Sequence, residues 1–135
     1  MRLATLLLVA ILAGGAAPVP TRCAGMPGDP ALTVQLFFGR SIKGGGTVDA
    51  AQWSDFLATS VTPRFPDGLT VLEGTGQWRQ RATGRIVSEA STVVEIVTDA
   101  SPDIWAQIDA IRADYKTRFS QESVGLVVNE ACASW

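Results

Sequence analysis

Apolar and polar positions along this chain switch between a period of two and a helical period in a definite order. Residues 31–38 read ALTVQLFF. Leu32, Val34, Leu36 and Phe38 share one face, and Thr33, Gln35 and Phe37 the other, which is the alternation of a strand. Asp49 and Gln52 stand three apart as a capping-box variant, with Val48 and Trp53 placed as a hydrophobic staple, so a helix starts there. Trp53, Phe56, Leu57 and Ser60/Val61 give that helix one apolar stripe, and Pro63 ends it by restricting Thr62. After the turn at 64–68 (RFPDG), residues 69–73 and 85–98 read as two strands. Gly74, Gly76 and Gly84 mark a long connection between them that carries Gln77, Trp78 and Arg79. Ser101 is placed to cap a second helix, with Pro102 at its first position and Asp103 on the helix dipole. Ile104, Ile108, Ile111 and Tyr115 form its buried stripe, with Trp105 beside it. Residues 124–129 are a last strand.

The order is β-α-β-β-α-β. Right-handed crossovers of this order predict an α+β, ferredoxin-like fold: a four-stranded antiparallel sheet with two helices on one face. The other face then carries Thr33, Gln35, Phe37, Val93, Glu95, Val97, Val127 and Asn129. A solvated face would hold more charge, and a buried one would not hold Glu95. This mixture suits a surface for self-association, a ligand cleft, or a lid made by the lead-in and the connection at 74–85.

The start of the chain has a different character. Met1-Arg2, the apolar run 3–13 and the small residues Gly14-Gly15-Ala16-Ala17 have the layout of a secretory signal peptide over residues 1–17. The run is too short to span a bilayer, which takes roughly 20 apolar residues. Leu12-Ala13-Gly14-Gly15 resembles a bacterial lipoprotein box with Gly where the lipidated Cys belongs, so the expected product is periplasmic or secreted and not lipid-anchored. Residues 18–30 (PVPTRCAGMPGDP) hold four of the seven prolines and form an irregular lead-in to a single domain at 31–135.

Composition narrows the chemistry. The 135 residues are 47% hydrophobic and 18% charged, which is globular and not disordered. Eleven Lys+Arg stand against thirteen Asp+Glu, and loss of Arg2 with the leader leaves ten against thirteen, a charge of −3. That balance does not suit a nucleic-acid partner. There is no histidine, which removes Ser-His-Asp and Cys-His catalysis and imidazole zinc sites. No cofactor and no metal site are expected. Cys23 and Cys132 are the only cysteines, and an even count in an exported chain predicts one disulfide between them.

Few constellations carry chemistry. The segment 39–47 (GRSIKGGGT) lies where a phosphate loop would sit, but Lys43 is not followed by Ser or Thr, and Asp49 puts a negative charge at the helix start. A plain mobile loop accounts for it. Glu73 and Glu89 could face each other across a hairpin and share a proton or a cation; exposed strand carboxylates are the plainer account. Arg64 and Asp67 flank a Phe-Pro turn, as carboxylate binders or as a local ion pair. Gln77-Trp78-Arg79 offers an aromatic platform and bidentate donors, or a Trp folded onto the edge of the core. Gln121-Glu122-Ser123 adds a further polar loop.

Four segments occur in a recognisable order: 37–41 (FFGRS), 61–71 (VTPRFPDGLTV), 76–79 (GQWR) and 115–124 (YKTRFSQESV). In these the chain resembles the bacterial exported family called domain of unknown function 3574, over roughly residues 32–135. Gln35 and Phe37 depart from the Glu and Tyr that the resemblance leads one to expect. The resemblance implies an exported or lipid-anchored small protein and transfers no catalytic residue. The reading is a non-enzymatic module that binds a small ligand or an envelope partner, with a possible homodimer through the open sheet face. The candidate ligand residues are Arg64, Asp67, Gln77, Trp78, Arg79 and Glu89. The competing readings are a cofactor-independent enzyme using carboxylate and arginine chemistry, and a purely structural envelope protein. Convergence of Arg64, Asp67, Trp78, Arg79 and Glu89 on one pocket would favour the enzyme.

Overall fold

A computed structural model describes residues 22–135. The expected signal peptide at 1–17 lies outside the described residues, as do positions 18–21 of the lead-in. The elements are β1 (Asp29–Gly39), α1 (Ala50–Phe56) with a π-helical turn at Leu57–Val61, β2 (Thr70–Arg79), β3 (Ile86–Thr98), α2 (Ile104–Phe119) and β4 (Gly125–Ala133). The four strands form one antiparallel sheet in the order β2-β3-β1-β4. Together with the two helices this is the ferredoxin-like α+β fold the periodicity predicts.

The core lies between the sheet and the helices. Leu32, Val34, Leu36 and Phe38 of β1, Val94 and Ile96 of β3 and Ile104, Ile108, Ile111 and Tyr115 of α2 are all buried in it, and Phe119 extends the helical stripe by one more turn. Phe38, Trp53, Phe56, Tyr115 and Phe119 meet mostly edge to face, with Phe38 and Tyr115 centroids 4.7 Å apart. The α1 start is as expected: Asp49 accepts from the Gln52 N–H at 2.8 Å, and the Gln52 side chain accepts from the Asp49 N–H at 3.0 Å.

Several boundaries differ from the sequence reading. β2 runs on through Arg79, so Gln77, Trp78 and Arg79 sit in a strand and not in a connection. Ten residue pairs hold it to β3 without a break, from Thr70–Glu95 to Arg79–Ile86. No lid at 74–85 therefore exists; only a short turn remains there. Ser101 does not cap α2 with its side chain. Asp103 takes the cap position with no side-chain bond, and the Ile104 N–H donates to the Ser101 carbonyl. α1 tightens no further than Phe56 before widening, and Thr62 N–H reaches back to the Leu57 carbonyl. Trp105, beside the stripe, is half exposed. β1 begins at Asp29 and β4 ends at Ala133, because Asp29 pairs with Ala133 and Pro30 with Cys132. Cys132 is bonded to Cys23, which pins the lead-in to this end of the sheet, and Arg22 adds an ion pair with Glu130.

Candidate functional site

The parity that buries Leu32 through Phe38 carries one residue further and turns Arg40 inward. Its guanidinium is buried, and each of its three nitrogens is engaged. Nε and Nη2 donate to the Val48 carbonyl at 2.9 and 2.8 Å, Nη2 also to the Asp49 carbonyl at 3.2 Å, and Nη1 to the Thr92 hydroxyl at 2.9 Å. Thr92 in turn donates to the Glu73 carboxylate at 3.0 Å, which stands 3.7 Å from Arg40 Nη1. The guanidinium carbon also lies 5.2 Å from the Trp53 ring centre. These bonds fix both ends of the segment 39–48 to the sheet.

That segment is a small hairpin and not a plain loop. Ser41 bridges Thr47, Ile42 N–H donates to Gly46 O, and Val48 N–H donates to Arg40 O. Gly44, Gly45 and Gly46 all have φ between +94° and +116°, a backbone that residues with a Cβ rarely adopt. The triple glycine is thus explained by the turn, without a phosphate.

On the open face beside this hairpin, Gly39 leaves a gap that the Glu89 side chain occupies. A Cβ on Gly39 would stand 3.1 Å from Glu89 Oε1. The carboxylate is held from two sides: Trp78 Nε1 donates to Oε1 and the Ser41 N–H to Oε2, each at 3.2 Å. Behind it Tyr115 donates its hydroxyl to the Gly39 carbonyl at 2.9 Å. Burial pushes that phenol up to about 12; the Arg40 charge opposes the rise and Glu89 adds to it. Gln121 closes the other side by donating to the Ser41 carbonyl at 2.7 Å, and Lys43 pairs with Glu122 at 3.0 Å. The result is an open cleft of about 1000 Å³ with Trp78, Arg79, Arg81, Glu89, Ser41 and Gln121 among its walls. Arg79 and Arg81 have no ion-pair partner among the described residues.

A second, smaller cleft of about 410 Å³ lies at the opposite end of the sheet, where β1 starts and β3 and β4 end. Arg64 and Asp67 line it. The six residues singled out from the sequence are therefore divided: Gln77, Trp78, Arg79 and Glu89 line one cleft, Trp78 and Glu89 on the open face and Gln77 and Arg79 at helix-side positions of β2, and Arg64 and Asp67 line the other. Arg64 and Asp67 do not form the expected local ion pair, since Arg64 donates to the Ser60 carbonyl instead. Glu73 and Glu89 do not face each other. Glu73 is opposite Thr92 and Glu89 opposite Gly76, on opposite faces of the sheet. Trp78 is half exposed rather than folded onto the core. Gln35 donates to Glu95 Oε2 at 2.8 Å, which ties the open-face carboxylate to its partner across the β1–β3 pair.

The profile described as "Protein of unknown function (DUF3574)" matches residues 33–135. The chain belongs to the DUF3574 family. No curated protein matches it. Among solved structures the DUF3574 domain is similar to a phage SAM lyase in complex with S-methyl-5'-thioadenosine, at 19% identity and a TM-score of 0.58, covering 78% of this chain and 92% of that one. The same lyase in its apo state gives 18% identity and a TM-score of 0.51 over the same shares. CutA from Synechococcus elongatus PCC7942 gives 11% identity and a TM-score of 0.50, over 78% of this chain and 80% of that one. At these identities the likeness is one of fold.

The sequence marks neither Ser41 nor Gln121 as part of the cleft of this DUF3574 domain, nor Arg40 as the anchor of the hairpin beside it. Arg40 carried a usable signal, because it continues the even-numbered buried face of β1. Ser41 acts through its backbone, and no side-chain pattern marks that. Gln121 stands in the sequence only as part of a polar loop, since nothing there tells which end of the sheet that loop meets.

Proposed function

We propose that this DUF3574 protein is an exported, non-enzymatic binding module whose ligand site is the cleft around Glu89 and Trp78. The observation that carries this reading is the Glu89 carboxylate, held by two donors from two different elements and open to the cleft. Each of its oxygens accepts one bond from the protein and keeps capacity for a ligand donor. Arg81, in the turn that follows β2 and on the wall of the same cleft, suits an anionic group. The ligand class is accordingly a small polar molecule with an amine or hydroxyl for Glu89 and an acidic group for Arg81. The reading is of binding rather than catalysis because Arg64 and Asp67 are far from Trp78, Arg79 and Glu89, and the chain has no histidine to relay a proton.

Residues 1–17 act in this reading as a cleaved signal peptide, followed by a lead-in at 18–30 and one domain at 31–135, released to the periplasm or medium without a lipid anchor. The disulfide and the lack, among the described residues, of a helix long and apolar enough to cross a membrane are compatible with that. Self-association through the open side of the sheet belongs to the same reading: Phe37, Leu72, Trp78 and Val127 are between 38% and 49% exposed there.

The test is a thermal-shift panel on the mature protein with amino acids, hydroxy acids, polyols and S-methyl-5'-thioadenosine, the ligand of the phage lyase. A ligand that raises the melting temperature should lose its effect in Glu89→Gln and Trp78→Ala and keep it in Arg64→Ala. A hit that depends on Arg64 and ignores Glu89 moves the site to the other cleft, and no hit in the panel favours a structural envelope protein.

A further inference from the structure

We infer that β2 is a self-pairing edge: two copies of the chain join β2 to β2, antiparallel about Thr75, and merge their four-stranded sheets into one of eight. This rests on the reading above only in that the protein self-associates; it places the contact at the sheet edge and not across the open face, and names the register and the residues that meet.

An edge strand offers a row of unpaired N–H and C=O groups to any extended chain, and proteins blunt such edges with Pro, Lys, bulges or a covering segment. The sheet has two edges, β2 and β4. Beside the second half of β4 the lead-in is tied down by the Cys23–Cys132 bond and the Arg22–Glu130 pair. β2 has no Pro, Lys, bulge or cover, and of the charges that can also guard an edge it carries one of each sign, Glu73 and Arg79. Its sequence, TVLEGTGQWR, contains no Pro and no Lys, and its register with β3 is unbroken over all ten residues, so no bulge turns it aside. Its side chains are mostly exposed, including Leu72 at 49% and Trp78 at 48%.

The strand is also complementary to itself. In a continuous sheet, residues opposite one another point to the same side. A two-fold axis through the sheet must therefore pair open-face residues with open-face residues. With Thr75 opposite its own copy, Leu72 of each chain faces Trp78 of the other on the open side, twice by symmetry. Gly74 faces Gly76, which lets the backbones approach unhindered. On the helix side Glu73 faces Gln77, with Arg79 diagonal to it, so opposite charges meet across the join. Neighbouring registers lose this. An axis at Gly74 sets Leu72 against Gly76 and Trp78 against Thr70. An axis at Gly76 pairs Glu73 with Arg79 but sends Leu72 against Gln80, beyond the strand.

The arrangement also brings Leu72 of one chain beside Trp78 of the other, at the wall of the Glu89 cleft, so each copy contributes an apolar side chain to its neighbour's site.

Sedimentation velocity of the mature protein across a concentration series tests this, with single-cysteine crosslinking by a short bis-maleimide. The expected results are a reversible dimer and efficient crosslinking of Thr75→Cys. Thr70→Cys should not crosslink, because its copy lies ten strand positions away, roughly 30 Å. Leu72→Lys should weaken the dimer by about tenfold or more, since two apolar pairs are lost, while Val127→Asp on the open face leaves it unchanged. Circular dichroism of each variant confirms that it is folded. A dimer that survives Leu72→Lys and is lost in Val127→Asp, or that crosslinks equally at both cysteine positions, overturns the β2 pairing while self-association stands. A strict monomer at every concentration, with or without affinity for foreign extended peptides, overturns both.

Discussion

At the scale of single residues, the polar groups behind the sheet are there to be satisfied, and they decide how the cleft is built. Arg40 is the clearest case. A guanidinium turned toward a core is costly unless its nitrogens find acceptors, and here two backbone carbonyls and the Thr92 hydroxyl engage all three nitrogens, with the Glu73 carboxylate 3.7 Å from Nη1. Tyr115 does the same with one bond, and it offers a direct measurement because it is the only tyrosine in the chain. Its phenol stands at about 12 in the folded protein against an ordinary 10.0, mainly because the charged form would be buried. The sign follows from linkage. A raised pKa on an acid means that folding favours the neutral phenol, so its contribution is complete below about 10 and is lost as pH rises toward 12. Tyrosinate absorbance should therefore appear late in an alkaline titration and together with loss of the near-ultraviolet dichroism of the packed aromatics. An ordinary tyrosine midpoint with the fold intact would contradict the burial of this ring.

At the scale of elements, legibility in the sequence follows contact with the core. β1 was readable because every second side chain is buried under a helix, and α2 because its stripe faces the sheet. The α1 cap was readable because a capping box is written in two residues three apart. Asp49→Ala should lower stability by about 1 kcal/mol in chemical denaturation, with Gln52→Ala costing less, since Asp49 supplies the bond to the helix N–H group. An unchanged midpoint for Asp49→Ala would remove the box as the reason the helix starts there. β2 was only half readable. Its second half is held by main-chain bonds to β3 and touches little of the core, so no apolar alternation marks it, and Gly74 and Gly76 look like breakers when they are flat edge positions. Ser101 misled for a related reason: a serine before a proline has the form of a cap, but its carbonyl and not its hydroxyl serves the helix. The candidate site was legible as residue types and illegible as a place. Gln77, Trp78, Arg79 and Glu89 come together because β2 and β3 pair in one register, while Arg64 and Asp67 are carried to the far end of the sheet, and neither fact is a property of a local sequence window.

At the scale of the whole molecule, the chain is closed on itself by a covalent bond between its lead-in and its last strand. Cys23 and Cys132 are 109 residues apart in sequence, so reduction releases nearly the entire domain from a constraint that acts mainly on the unfolded chain. The loop-closure argument gives up to about 4–5 kcal/mol for a ring of this size. That is a large share of the stability of a domain with one core and a net excess of acidic residues. The β1–β4 pairing at Asp29–Ala133 and Pro30–Cys132 lies directly beside the bond, so local fraying at this end should accompany the global loss. Urea unfolding of the oxidised and reduced mature protein should show a lower midpoint on reduction, with the native form gaining two protons in mass. Cys132→Ser should behave like the reduced protein under both conditions. The same experiment bears on export, because protein made in a reducing compartment and purified without oxidation should unfold at the reduced midpoint and protein directed through the leader at the oxidised one. Coincident unfolding curves for the two forms would mean that the strand pairing at this end is sufficient without the bond, and would take away the link between the fold and an oxidising compartment.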